Sequence, residues 1–201
     1  MNNFIFFSNN QNKIKEIKKL FLKSGIKVQS LNDLNKTENY MAKIEPKEIG
    51  NSFAANAKIK SLYGFKRFNM PCFADDSGIC IDVFGGLPGI NSKEFLNSTK
   101  NKKQILNKII NEAKNQKNFD AFFMTTICLS LNTNKHFFFH GRIDGKISKE
   151  IRGVNGFGYD PIFIPRGKRI TFAEMTLEEK NEFSHRTIAI KKLKKFLNKL
   201  I

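Results

Sequence analysis

The chain has no tryptophan, only three cysteines and five prolines, and just 18 acidic residues to set against 35 lysines and arginines in its 201 residues. Each scarcity excludes something. Cys72, Cys80 and Cys128 form no Cys-x-x-Cys pair, and an odd count without a secretion signal argues against a disulfide framework, so reduced thiols are expected. Long apolar runs are missing too. The first is only Phe4–Phe7, far short of a signal-peptide core, and no later stretch stays uncharged long enough to span a bilayer. A cytoplasmic protein without membrane contact is the expectation. There is no internal repeat and no linker-like stretch, and a hydrophobic content of 40% supplies one sizeable core. A single domain over residues 1–201 is therefore expected.

The shortage of acids leaves a net charge of +17, which attracts nucleic acid, anionic lipid or a polyanionic small substrate. Its basic residues are scattered rather than blocked, as on a generic solvated surface. A basic nucleic-acid-binding domain, its acids merely capping turns, is a competing reading that requires aromatics interleaved with a basic stripe. The chain has 21 phenylalanines, but runs such as Phe137–Phe139 lie in apolar segments, where core packing accounts for them.

Local patterns alternate between strand and helix. Phe4–Phe7 reads as a buried strand, Ser8-Asn9-Asn10-Gln11-Asn12 as a turn and helix cap, and Ile14, Ile17, Leu20 and Phe21 as one face of a helix with Gly25 at its C-terminal end. Ile26–Ser30 is a second strand, followed by a polar loop. Glu48 to Phe68 reads as a helix capped by Asn51 or Ser52. Cys72–Ala74 and Ile79–Phe84 read as strand segments flanking Asp75-Asp76-Ser77-Gly78, and Gly85-Gly86-Leu87-Pro88-Gly89 as turn punctuation. A polar helix around Lys100–Lys114 precedes a hairpin of Ala121–Leu131 and His136–Arg142. Thr176-x-x-Glu179 is a capping box, after which Ile188, Leu193, Phe196, Leu197 and Leu200 recur at helical spacing.

The chemistry concentrates at Asp75-Asp76-Ser77, two adjacent acids between apolar segments that would ordinarily exclude charge. Magnesium takes one or two carboxylates plus phosphate oxygens, so the pair suits a metal-phosphate site, although an Asx-turn would use the same residues. Other residues suit a triphosphate. Lys13 stands near a helix start, and Asn56 and Lys60, four apart, share a helical face. Ser184-His185-Arg186 adds an imidazole and a planar cation, suited to an oxygenated ring edge, while His185 alone also fits a core or capping role.

Taken in order, these segments resemble the inosine/xanthosine triphosphate pyrophosphatase family nearly end to end. Ser8-Asn9-Asn10-Gln11-Asn12-Lys13 is similar to the family's Thr-Gly-Asn-x-x-Lys loop, and Glu48-x-Gly50-x-Ser52-Phe53-x-x-Asn56-Ala57-x-x-Lys60 to its characteristic helix. Asp75-Asp76-Ser77-Gly78, Gly85-Gly86-x-Pro88-Gly89, Gly156-Phe157-Gly158-Tyr159-Asp160-Pro161, Glu179-Lys180 and Ser184-His185-Arg186 follow in the family's order. The resemblance implies an elongated α/β domain, a mixed sheet with flanking helices forming two lobes around a substrate cleft, assembled as a homodimer. It implies hydrolysis of ITP, dITP or XTP to monophosphate and pyrophosphate with Mg2+, and no stable nucleic-acid partner. A related pyrophosphatase with another base preference is the nearest alternative.

By the same resemblance, Asp76 is the general base and a magnesium ligand, with Glu48 and Asp75 completing the acidic site. Ser8, Asn9, Asn10, Gln11, Asn12, Lys13, Lys60 and Ser77 face the triphosphate. Phe157, Gly158, Tyr159, Asp160, Lys180, His185 and Arg186 surround the base. Three positions depart from the pattern: Asn9 replaces a glycine, Ala55 an acid, and Glu94 an arginine for which Lys93 is a neighbouring substitute.

Overall fold

The computed structural model describes residues 3–22, 24–38 and 46–200. Six strands form one mixed sheet in the order β2-β1-β3-β4-β5-β6. Strand β1 (Asn3–Phe6) is parallel to both β2 (Lys27–Ser30) and β3 (Cys72–Ile81), whereas β5 (His136–Ile147) and β6 (Phe163–Pro165) are antiparallel. Strand β4 (Asp120–Ser130) lies between β3 and β5. Among the described residues the helices are α1 (Gln11–Phe21), α2 (Leu31–Glu38), α3 (Phe53–Phe68), α4 (Ser92–Leu96), α5 (Lys102–Asn115), α6 (Leu177–Phe183) and α7 (His185–Leu200). None is long and apolar enough to cross a membrane.

The chain groups into two compact units, Met1–Asp76 with Thr125–His140 and Ile188–Ile201, and Ser77–Met124 with Gly141–Thr187. In the first unit, the period of two along β1 sorts its apolar side chains between two clusters. Phe4 and Phe6 pack with Ile14, Ile17 and Phe21 of α1 and with Ala189, Ile190, Leu193 and Leu197 of α7. Ile5 and Phe7 join Leu31 and Leu34 of α2 with Cys72 and Ala74. Covered on both faces, β1 has the continuous apolar sequence of a buried parallel strand. In the second unit, Ile105, Leu106, Ile109, Ile110 and Ala113 make the buried stripe of α5, packed with Ile79, Ile81, Phe123, Phe163 and Phe172. The three cysteines are buried and free.

The largest departure from the sequence expectation is at β3. The pattern predicts two strand segments separated by Asp75-Asp76-Ser77-Gly78, and one uninterrupted ten-residue strand is found. The carboxylates do not break it because each is matched by a cation, Asp75 by Lys13 at 2.9 Å and Asp76 by Lys60 at 3.5 Å. Gly78 stays in the strand for a different reason: a Cβ there would lie 2.0 Å from the Gly89 carbonyl oxygen. The Ile79–Phe84 segment ends sooner than expected, at Ile81, and continues as a 3₁₀ turn over Asp82–Phe84.

Other boundaries differ for local reasons. Helix α3 begins at Phe53, since Ser52 accepts the Ala55 amide as cap, so Glu48 precedes the helix. Helix α1 stops at Phe21, well before Gly25. The polar loop after Ser30 contains α2, and the rest of that loop, 39–45, lies outside the described residues. Strand β5 runs past Arg142 to Ile147 because β6 pairs with Gly145 to Ile147. The capping box at Thr176 is present, but a break at Ser184 separates α6 from α7.

Candidate active site

The acidic constellation belongs to the first unit and is built on α3. Asn56 and Lys60, one turn apart, both reach Asp76: Asn56 Nδ2 donates to Oδ2 at 3.2 Å, and Lys60 Nζ lies 3.5 Å from Oδ1. Lys60 Nζ also pairs with Glu48 Oε2 at 3.1 Å, so one ammonium draws two carboxylates together. The approach to the helix is fixed by the same asparagine, whose Oδ1 accepts the Gly50 amide at 2.8 Å. Any Cβ at Gly50 would lie 2.7 Å from that oxygen, which is why glycine stands there. A third turn along, Gly64 lets α3 lie against the strands, since a Cβ there would meet Cys72 Sγ at 2.4 Å and Phe7 Cδ2 at 2.9 Å.

Burial sets the electrostatics of this cluster. Asp76 is 5% exposed and its carboxyl is pushed up to about 6, chiefly by burial, while Lys60 and Lys13 pull it down and Glu48 pushes it further up. Burial also opposes the charge on Lys60, but Asp76, Asp75 and Glu48 outweigh it and its pKa is raised. Asp76 is thus a carboxylate at neutral pH with a proton affinity far above an ordinary aspartate, the condition for a general base.

Asp75 has a separate attachment. It is buried against Lys13 of α1, and no group of three or more metal-ligating side chains exists among the described residues. Two converging carboxylates, Glu48 and Asp76, are what the structure presents. The loop before α1 is organised around its helix cap: Asn10 Oδ1 accepts the amides of Asn12 and Lys13 at 3.0 and 3.2 Å, and Ser8 Oγ accepts the Asn10 amide at 3.2 Å. Gln11 donates to the Asn9 carbonyl and accepts from Asn32. Asn9 needs no left-handed backbone, since Asn69 and Lys117 are the described non-glycine residues with positive φ. Its replacement of glycine is therefore conformationally neutral.

The second constellation lies in the second unit. Arg186, 1% exposed, donates from Nη2 to Ser77 Oγ at 3.2 Å and has its guanidinium carbon 5.9 Å from the Phe157 ring centre. Lys180 Nζ sits 4.9 Å from that centre and pairs with Asp160 Oδ2 at 2.7 Å, both groups buried. The same oxygen accepts the Phe157 amide at 2.8 Å. Gly156, at φ +71°, passes so close that a Cβ would lie 2.1 Å from it. Asp160 therefore shapes the loop bearing Phe157 and Gly158 and neutralises Lys180.

Two residues expected around the base have contacts of another kind. Tyr159 is buried and its hydroxyl donates to the Ser92 carbonyl at 2.7 Å, tying the loop to α4. His185 is buried and stacks on Phe123, with ring centres 4.7 Å apart and planes 9° from parallel. Phe123 does not stand out in the sequence, where it is one more phenylalanine of a hairpin strand. Nor does Ser92, which accepts the Ile79 amide and donates to the Gly89 carbonyl, bracing β3 against the glycine turn. Lys93 and Glu94 are both exposed on α4. The aromatics give the nucleic-acid alternative little: Phe4, Phe6, Phe7, Phe73, Phe163 and Phe172 are all buried, although core packing accounts for only part of the Phe137–Phe139 run, in which Phe139 is buried and Phe138 is 40% exposed.

Comparison with known proteins agrees over the whole chain. Residues 4–196 match the Ham1 family. A dITP/XTP pyrophosphatase of Flavobacterium psychrophilum is 39% identical over 189 residues, 94% of this chain and 95% of that one. One from Christiangramia forsetii is 38% identical over 195 residues, covering 97% and 98%. The solved structure of a HAM1 protein from Coxiella burnetii superimposes with a TM-score of 0.85 at 30% identity, covering 99% of this chain and all of that one.

Proposed function

The chain belongs to the Ham1 family, and we propose that it hydrolyses non-canonical purine nucleoside triphosphates, ITP, dITP and XTP, to monophosphate and pyrophosphate. The observation that carries this reading is Asp76: a buried carboxylate with its pKa pushed up to about 6, held by Asn56 and Lys60 beside Glu48. The named relatives in Flavobacterium and Christiangramia, similar over nearly their full lengths, supply the substrate class.

In this reading Asp76 orients a water for in-line attack at the α phosphorus and takes its proton, and pyrophosphate leaves. Lys60 and Lys13 add positive charge where the triphosphate lies. Mg2+ fits the donor set, because Glu48 and Asp76 are two hard oxygen ligands already drawn to one cationic point by Lys60, and magnesium takes only one or two carboxylates beside phosphate oxygens. When bound it neutralises phosphate charge. Asp75, paired with Lys13 and among the acids that raise the Lys60 pKa, adds a third negative charge beside this centre.

Base selection falls to Arg186 and His185. Donors aimed at a 6-oxo group are satisfied by hypoxanthine or xanthine, whereas adenine presents an amino group and leaves them unpaired. Phe157 offers a ring for stacking, with Lys180 held by Asp160 at its face. The reading carries with it a homodimer and a cytoplasmic location, where nucleoside triphosphates are made and used. The deciding assay is product release from ITP, XTP, GTP and ATP with and without Mg2+. Pyrophosphate from ITP and XTP, well ahead of ATP and GTP, is expected; orthophosphate as first product, without added pyrophosphatase, refutes the cleavage site. A preference for modified pyrimidines in the same panel would move the chain to a different substrate.

A further inference from the structure

The second unit contains a groove of about 850 Å3 between residues 119–120, the end of β5 with the segment after it, and β6 with its following turn. None of its lining residues belongs to either constellation described above. Six cations line it, Lys146, Lys149, Arg152, Arg166, Lys168 and Arg169, against two acids, Asp120 and Glu150. The whole chain holds 35 against 18, so the groove is enriched in positive charge even relative to this basic protein. Two of the six face acids outside the lining, Arg152 with Glu174 at 3.5 Å and Arg166 with Asp144 at 3.9 Å. Lys146, Lys149 and Arg169 are exposed and have no carboxylate partner among the described residues.

Four apolar residues, Phe119, Ile147, Ile164 and Pro165, share the lining with them. That combination matters physically. Low-dielectric walls under charges of one sign focus the field into the concavity, so an anion with several charges gains more there than on a convex lysine-rich surface. The groove has length as well as charge, because its cations come from two successive segments, 146–152 and 166–169, on either side of the edge strand β6. We propose that this groove is a second anion site that binds a phosphate chain, supplied either as free inorganic oligophosphate or as the tail of a nucleotide. It is independent of the pyrophosphatase reading.

The test follows backbone amide shifts of Gly145, Ile147 and Gly167 in the full chain, without divalent metal, as inorganic tripolyphosphate is added. Saturable shifts at these amides are expected, with a dissociation constant that rises with salt. In Lys149→Glu/Arg169→Glu, affinity read at the same amides should fall at least tenfold while ITP turnover stays within twofold of wild type. Lys149→Gln/Arg169→Gln, which removes both charges without reversing them, should lie between. A non-hydrolysable nucleoside triphosphate separates the sources: equal affinity to tripolyphosphate means that the chain alone is read, and tighter binding means that the nucleotide is the ligand. Absence of saturable shifts, or equal shifts in wild type and both double variants, overturns the proposal. So does a single-stranded oligonucleotide that outcompetes both probes, which would make the groove a nucleic-acid surface.

Discussion

Replacing Asp76 by asparagine should change how stability depends on pH, by an amount the structure sets. In the folded chain the carboxyl has its pKa raised from 3.8 to about 6, because burial disfavours the anion more than Lys60, Lys13 and Asn56 favour it. A raised acid pKa means that the folded state holds its proton more tightly than the unfolded state. Its contribution to stability is fully present below the unfolded value near 4 and is lost as pH rises through about 6. A shift of about two units corresponds to about 3 kcal/mol. The amide introduced by Asp76→Asn cannot titrate, so the stability of the variant relative to wild type should rise by about 3 kcal/mol between pH 4 and pH 7. The attraction between Lys60 and Asp76 is already contained in this shift, because the carboxyl is charged, and so paired, only above its pKa. Urea unfolding followed by circular dichroism, with chelator present, measures the difference at each pH. A difference that stays flat, or falls as pH rises, would show that Asp76 is not a strained anion. The same variant should retain its fold and lose turnover by about a hundredfold or more, as expected for removal of a general base.

Two further substitutions test other parts of the argument. Arg186→Ala should lower kcat/KM for ITP by about 5- to 150-fold, the equivalent of about 1–3 kcal/mol for a hydrogen bond to a charged group, with slow ATP hydrolysis much less affected. Equal losses on both nucleotides, with thermal melts showing comparable folded populations, would give Arg186 a phosphate-binding or bracing role instead. Gly64→Ala should lower the Tm by about 2–8 °C, since overpacking at about 1–3 kcal/mol outweighs the helix-propensity gain of up to about 1 kcal/mol. An unchanged or higher Tm would mean that α3 can shift away from Cys72 and Phe7 without penalty.

The elements written in local signals were legible, and those written in distant contacts were not. Helix α3, the stripe of α5, the hairpin strands and the Thr176 box each have their period or cap within a few residues. The continuity of β3 depends on Lys13 and Lys60, cations remote in sequence, so its acids read as an interruption between two strand segments. Helix α2 is a different kind of miss. Ser30 and Asp33 stand at capping-box spacing, and the Asp33 carboxylate accepts both the amide and hydroxyl of Ser30 at 2.8 Å, a signal present in the sequence but hidden by a polar run. At the site, the spacing of Asn56 and Lys60 foretold that both point to one place, and they meet at Asp76. That Asp75 belongs to Lys13, that Tyr159 anchors to Ser92 and that His185 rests on Phe123 are tertiary facts with no local trace.

One carboxylate oxygen, Asp160 Oδ2, receives the Lys180 ammonium and the Phe157 amide while Gly156 passes within contact of it. Such sharing bears on how the family can drift. Removing Asp160 takes a 2.7 Å partner from a buried ammonium, a side chain at Gly156 displaces the carboxylate, and loss of Lys180 takes the same ion pair from the acid, so each single step passes through a damaged intermediate. Paired changes at these positions should be non-additive, with a double variant less impaired than the sum of its singles. Base preference is therefore freer to evolve through Arg186, His185 and the face of Phe157 than through the mutually dependent residues behind them, and this stretch should be inherited as a block.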